Sequence, residues 1–164
     1  MVESVVEGKL TPQERLCQEL LWRSNNSAVR MLEYAAKATA CQLLGDEVGA
    51  SNCQVMADVS ATDAFQSAYE AGQIMGTNEE PKNISEDLVF IGYIEKAGVS
   101  IDLAVDSIME AQHRFTEGED PEEFRRMSHE HKRQALGQAF EAGKYMGNGK
   151  RAGTVPTLTL NPKE

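Results

Sequence analysis

The chain has 164 residues and a net charge of −10, with 41% apolar and 6% aromatic residues. This composition suits one packed domain, or two small halves sharing a core, and it excludes a disordered chain. The negative charge argues against direct binding to nucleic acid or anionic lipid, where neutralised phosphates supply much of the affinity. No apolar run approaches the roughly 20 residues that a membrane span needs.

The cysteines and the N-terminal residues indicate a reducing compartment. Three cysteines are an odd number and include no CxxC pair, which favours small core side chains over a disulfide framework or a zinc site. Residues Met1 to Lys9 carry two glutamates and no apolar block of signal-peptide length. We therefore predict a cytoplasmic protein with no membrane association and no cofactor.

Capping signals predict four helical segments in the first half of the chain. Thr11-Pro12-Gln13-Glu14 combines an N-cap, a proline at the first helical position and a capping-box glutamate. Asn26 or Ser27 is a candidate cap for the second segment, and Ser60-Ala61-Thr62-Asp63 is a capping pattern for the fourth. In chain order, the segments are predicted to end near Arg23, before Gly45, near Asp58 and at Gly76.

The second half shows the same kinds of signal after a polar linker at residues 77–83, which contains Pro81. Four further segments are predicted, with N-caps at Asn83 or Ser85, Ser100, Asp120 and Ser128. The last of these segments is predicted to stop at Gly147. Residues 154–160 alternate β-branched residues and leucine around Pro156, and we interpret residues 150–164 as a flexible tail rather than an extended arm.

A repeated sequence is the most informative feature of the chain. Residues 64–76 return as residues 135–147, with seven of thirteen positions identical. Small residues occupy every fourth position in both copies, which on a helix forms one ridge without bulk. The ridge residues are Ala64, Ala68, Gly72, Gly76, Ala135, Ala139, Gly143 and Gly147.

The repeat predicts an internal duplication with an offset of 71 residues. We expect an all-α helical bundle of about eight helices in two halves related by a pseudo-twofold axis. The predicted divisions are an N-terminal arm (1–10), two helical repeats that share one core (11–78 and 82–149), and the tail (150–164). Whether the two ridges pack within one chain or between the chains of a homodimer stays open at this point.

No pattern in the chain predicts a catalytic residue. Glu110 and His113 have the Glu-x-x-His spacing of di-iron bundles, but the second motif and the additional glutamates of such sites are missing. They remain weak metal candidates, and we predict no metal site. His129 and His131 point away from each other on a helix and lack an evident third ligand.

A reversal of charge marks the candidate partner-binding region, where an acidic run is followed by a basic one. Such a pattern can simply complement a helix dipole, or it can form a bipolar patch that docks a charged partner. The candidate residues are Glu117, Glu119, Asp120, Glu122, Glu123, Arg125, Arg126, Lys132 and Arg133.

These observations favour a non-catalytic protein-interaction or regulatory module whose acidic surface binds a basic protein partner. One version of this hypothesis is an inhibitor that mimics nucleic acid. The alternative is a small ligand-binding or metal-dependent helical-bundle enzyme centred on Glu110, His113 and the aromatic side chains.

Overall fold

A computed structural model describes residues 10–76 and 88–147. They form four α-helices: α1 (Pro12–Leu43), α2 (Glu47–Met75), α3 (Leu88–Thr116) and α4 (Glu122–Met146). The prediction of an all-α bundle is confirmed, whereas the prediction of about eight helices is wrong. The predicted linker, the tail, the first nine residues of the arm and the caps at Asn83 or Ser85 lie outside the described residues.

Four helices replace eight because serines that resemble N-caps lie inside long helices and bond to neighbouring helices. The Ser27 hydroxyl donates to the carboxylate of Asp63, which the capping pattern had placed at the start of its own helix. Ser128 Oγ donates to the carbonyl oxygen of Ala104 at 2.8 Å. Because these hydroxyls bond to groups of a neighbouring helix, they do not cap the amides of their own helix, and the helix continues through both serines.

The strongest start and stop signals are confirmed. Thr11 and Glu14 form a reciprocal capping box, with bonds of 3.0 and 2.9 Å. Gly45 ends the turn after α1 with a φ of 82°, a conformation that glycine adopts without strain. The predicted N-cap at Asp120 is one residue early, because Pro121 is the N-cap of α4, although Asp120 Oδ1 still accepts a hydrogen bond from the Glu122 amide at 3.0 Å.

Each half is an antiparallel helical hairpin. Ser24 Oγ donates to the Ala64 carbonyl at 2.7 Å, and Cys17 Sγ contacts the Ala71 carbonyl at 3.7 Å. An earlier residue of α1 therefore contacts a later residue of α2, so the two helices are antiparallel. The bond between Ser128 and Ala104 joins α3 and α4 in the second hairpin.

The two hairpins meet at the small-residue ridges, within one chain. A Cβ added to Gly72 would overlap the Phe140 carbonyl oxygen and lie 2.8 Å from the Lys144 nitrogen. A Cβ added to Gly143 would overlap the Tyr69 carbonyl oxygen and lie 3.0 Å from the nitrogen of Gln73, the residue 71 positions before Lys144. The contact is thus reciprocal at the repeat offset, and only glycine lets the two backbones approach so closely.

The core consists mainly of alanine, with a few large side chains. Phe65 stacks on Tyr69 with ring centroids 6.2 Å apart, and Phe90 meets Tyr69 edge-on at 6.0 Å. Met31 and Met146 are buried in the same cluster. Because alanine adds little bulk, the helices pack closely and much of their outer surface is left without a covering element.

Candidate interaction surface

The candidate charged residues lie on the turn between α3 and α4 and on the first half of α4. Several of them pair with one another or with nearby arginines. Arg125 bonds to Glu122 at 3.0 Å, and Glu119 accepts from Arg114 at 3.3 Å. Arg126 lies 4.0 Å from Glu130, at the limit of an ion pair. The turn therefore carries a charge network of its own rather than a field of one sign.

Two aromatic rings support this charge network. The guanidinium of Arg114 lies 4.9 Å from the centroid of the Phe124 ring, and that of Arg125 lies 5.8 Å from the Phe115 ring. Such cation–π contacts orient the arginines along the turn. Glu117 and Glu123 stay exposed beside them.

Lys132 does not lie on this surface, although it belongs to the predicted set. Its side chain is only 7% exposed, and Nζ donates to Asn25 Oδ1 of α1 at 2.9 Å. Burial lowers the pKa of the Lys132 amine, and the neighbouring Arg133 lowers it further. Arg133 is exposed, so only this second residue of the pair is available to a partner.

The weak metal candidates do not converge on a common point. Glu110 accepts a hydrogen bond from Arg114 at 2.9 Å, while His113 is exposed one turn along α3. Within residues 10–76 and 88–147, no three His, Cys, Asp or Glu side chains are grouped so that they could hold a metal ion. Burial lowers the pKa of His129, with a further contribution from the positive charges of Lys132 and Arg133.

A second surface, on α2, was not predicted from the sequence. Six residues spaced alternately by four and three positions form one outward stripe along the helix, and none of them is charged. We call this stripe the α2 outer face. It consists of Val48, Asn52, Val55, Val59, Thr62 and Gln66.

The valines of the α2 outer face are well exposed. Val48 is 72% exposed, Val55 56% and Val59 57%. The stripe extends for about 27 Å at the α-helical rise per residue. Single exposed apolar residues are ordinary, whereas contiguous exposed apolar patches mark surfaces that contact other proteins. Here three exposed valines lie along one face of α2, with uncharged polar residues between and beyond them.

Acidic residues flank the stripe without any basic residue on the same helix. The 29 residues of α2 include Glu47, Asp58, Asp63 and Glu70, and no lysine, arginine or histidine. Asp63 is neutralised by α1, because Arg23 of that helix bonds to it with distances of 2.6 to 3.2 Å. The other three acidic residues of α2 are Glu47, Asp58 and Glu70, and Arg23 also lies within electrostatic range of Glu70.

Asp58 is a carboxylate with unused bonding capacity. Its Oδ1 atom is buried and has no hydrogen-bond partner among the described residues. Burial raises the pKa of Asp58, although a hydrogen bond from Gln54 acts in the opposite direction.

The sequence contained the pattern of the α2 outer face, with residues 48, 52, 55, 59, 62 and 66 at helical spacing. The pattern was missed because capping signals around residues 60–63 divided this region into two short helices. Once the helix is continuous from Glu47 to Met75, the stripe becomes visible.

Comparisons with known proteins add no relative. No protein-family model matches the chain, and neither the curated proteins nor the solved structures contain a match. Among the described helices, none combines the length and the apolar character required to cross a membrane.

Proposed function

We propose that this protein is a non-catalytic interaction module that binds a basic, helical segment of a protein partner on the α2 outer face. The observation that carries the proposal is the uncharged stripe from Val48 to Gln66, on a helix that contains four acidic residues and no basic one. Apolar side chains of the partner would pack on the valines. Its lysines or arginines would lie against the flanking carboxylates.

Charge complementarity favours this occupant over others. The whole chain has a net charge of −10, which attracts a cationic segment at long range. A second copy of α2 in the same position would oppose like charges, because only one of its four carboxylates, Asp63, is paired with an arginine of α1.

Mimicry of nucleic acid is a narrower form of this proposal. It requires carboxylates that a basic nucleic-acid site could read as phosphates. At the α3–α4 turn, Glu119 and Glu122 are already paired with arginines, so α2 is the better candidate for such contacts. If duplex DNA competes with this protein for a captured partner, the result supports mimicry. If DNA has no effect on capture, the protein is an interaction module that does not mimic nucleic acid.

The test places a photo-crosslinking residue at position 59 in the full chain and exposes it to lysate of the native host. Position 99 on α3 is the matched control, because Val99 is 59% exposed and Val59 57%. We expect a host protein to crosslink to position 59 and not to position 99, and we expect this crosslink to disappear at high salt. Its crosslinked peptide should be basic and amphipathic.

Substitution provides the second half of the test. Val55→Ser with Val59→Ser should lower affinity for the identified segment by about tenfold or more, because two buried valines are lost from the contact. Val99→Ser should leave the affinity unchanged. Equal crosslinking from both positions, or an acidic crosslinked segment, would contradict the proposal.

A further inference from the structure

Two of the three cysteines meet where α1 turns into α2. Cys41 lies in the last turn of α1, and Cys53 lies near the start of α2. The Cys41 Sγ atom lies against Gly49 of α2, one helical turn before Cys53, and the Cys53 thiol and the Asp46 carboxyl group are near enough to influence the Cys41 thiol. Both cysteines are free thiols and partly exposed, which departs from the expectation that all three are core side chains.

The geometry of the turn explains why these thiols meet. The Asp46 amide donates to the Cys41 carbonyl at 2.8 Å, and Asp46 Oδ1 accepts from the Gly49 amide at 2.9 Å, so the turn is tied to both helices. A Cβ on Gly49 would lie 3.0 Å from Cys41 Sγ. Gly49 and Cys53 are one helical turn apart and share a face of α2. The missing side chain at Gly49 therefore gives the Cys41 thiol room beside Cys53.

We propose that Cys41 and Cys53 are an oxidisable thiol pair that closes into a disulfide across the α1–α2 hairpin when a small-molecule disulfide such as oxidised glutathione is present. One cysteine thiolate attacks the glutathione disulfide and releases one glutathione thiolate, which leaves a mixed disulfide. The second cysteine thiolate then attacks the protein sulfur of that intermediate and releases the other glutathione. The two thiols lose two protons and two electrons in total, and the electrons reduce the oxidant.

The surroundings of Cys41 favour its thiol form over the thiolate. Burial raises the pKa of Cys41, and Asp46 and Cys53 raise it further. Oxidation should therefore be slow in a reducing compartment and become significant when the oxidant accumulates. In cytoplasmic proteins, reversible disulfides of this kind are usually redox-sensing.

Cys17 serves as an internal reference. It is buried, contacts the Ala71 carbonyl and lies at the opposite end of α1 from Cys41. Burial also raises the pKa of its thiol. If oxidation follows the folded geometry, Cys17 should remain a thiol while the other two pair.

The experiment counts thiols in the full chain. The reduced protein is incubated with oxidised glutathione at mildly alkaline pH, quenched in acid, unfolded and alkylated, and its mass is measured. The chain has three cysteines, and after oxidation of the native protein we expect one of them to be alkylated. The protein should be a monomer that carries no bound glutathione. A tryptic digest should contain one disulfide-linked pair of peptides, which carry Cys41 and Cys53. Three alkylated thiols, or separate glutathione adducts on Cys41 and Cys53, would overturn the proposal.

Two controls separate folded geometry from random pairing. The Cys17→Ala variant should have two alkylated thiols before oxidation and none after it. The Cys53→Ser variant should form no intramolecular disulfide. The parent oxidised in denaturant should give a mixture of all three pairings. If the native protein gives that same mixture, the fold does not select the pair and the proposal fails.

Discussion

At the scale of single residues, Asp63 and Lys132 show how neighbours decide what a charge does. Asp63 lies between α1 and α2, where Arg23 and Ser27 both donate to its carboxylate. Lys132 is buried between α4 and α1, with the neutral amide of Asn25 as its partner. The first residue links two helices through charge, whereas the second bears the cost of burial with little compensation.

The pKa of Asp63 leads to a pH-dependent prediction. Burial alone would raise this pKa, but the hydrogen bonds from Arg23 and Ser27 lower it below 3.8, the ordinary value. The stabilisation is therefore fully present above that value and is lost as the pH falls through the folded-state pKa. Asp63→Asn should reduce the free energy of unfolding by about 1–2 kcal/mol at neutral pH, and by less below about pH 4.

Urea unfolding at several pH values checks this expectation. Glu33→Gln replaces an exposed carboxylate of α1 and serves as the control, which should match the parent at every pH. A difference between Asp63→Asn and the parent that stays constant down to about pH 3 would contradict the role given to the ion pair.

At the scale of helices, the contact between α2 and α4 depends on two glycines. Gly72 and Gly143 each lie against the main chain of the opposite helix, so a methyl group at either position would push the helices apart. Glycine inside a helix costs about 1 kcal/mol relative to alanine. The close approach of two alanine-rich surfaces offsets this cost through tighter packing.

Two glycines of α4 allow a direct comparison of these effects. Gly143→Ala should lower the free energy of unfolding by about 2–3 kcal/mol through overpacking. Gly137→Ala, on the same helix with nothing within 4 Å of the added Cβ, should raise it by about 0.5–1 kcal/mol. Chemical denaturation of both variants measures the two changes. Similar changes in both variants would remove the ridge contact from the account of stability.

At the scale of the whole molecule, two hairpins with the same ridge form one bundle. The contacts of Gly72 and Gly143 repeat at an offset of 71 residues, so each ridge has a shape that packs against the other ridge or against a second copy of itself. Covalent linkage favours the arrangement within one chain, because the second hairpin is always present at high effective concentration.

Separating the hairpins should therefore change the oligomeric state. A fragment of residues 1–78 carries one ridge and loses its natural partner, so we expect it to form a dimer through Gly72 and its equivalent in the second copy. Analytical ultracentrifugation measures the mass. Gly72→Leu in the same fragment should abolish the dimer. A folded monomer with the full chain's helicity per residue would show that a single hairpin needs no partner.

Much of this molecule could be predicted from local patterns. The capping box at Thr11, the stop at Gly45 and the repeated Ala/Gly spacing are each contained within a few residues, and each has one dominant physical explanation. The candidate surface was harder to predict. The α2 outer face becomes visible only when residues 47–75 are known to be one helix.

The sequence by itself determined the all-α class, the ends of the first hairpin's turn and the small-residue ridges, because backbone conformation and helical spacing act over one or two turns. The tertiary structure alone decided that Ser27 and Ser128 continue a helix, that Lys132 is buried and that Cys41 meets Cys53. Each of those outcomes depends on a partner group from another helix. A side chain that can cap, pair or pack has no preferred role until that partner is in place.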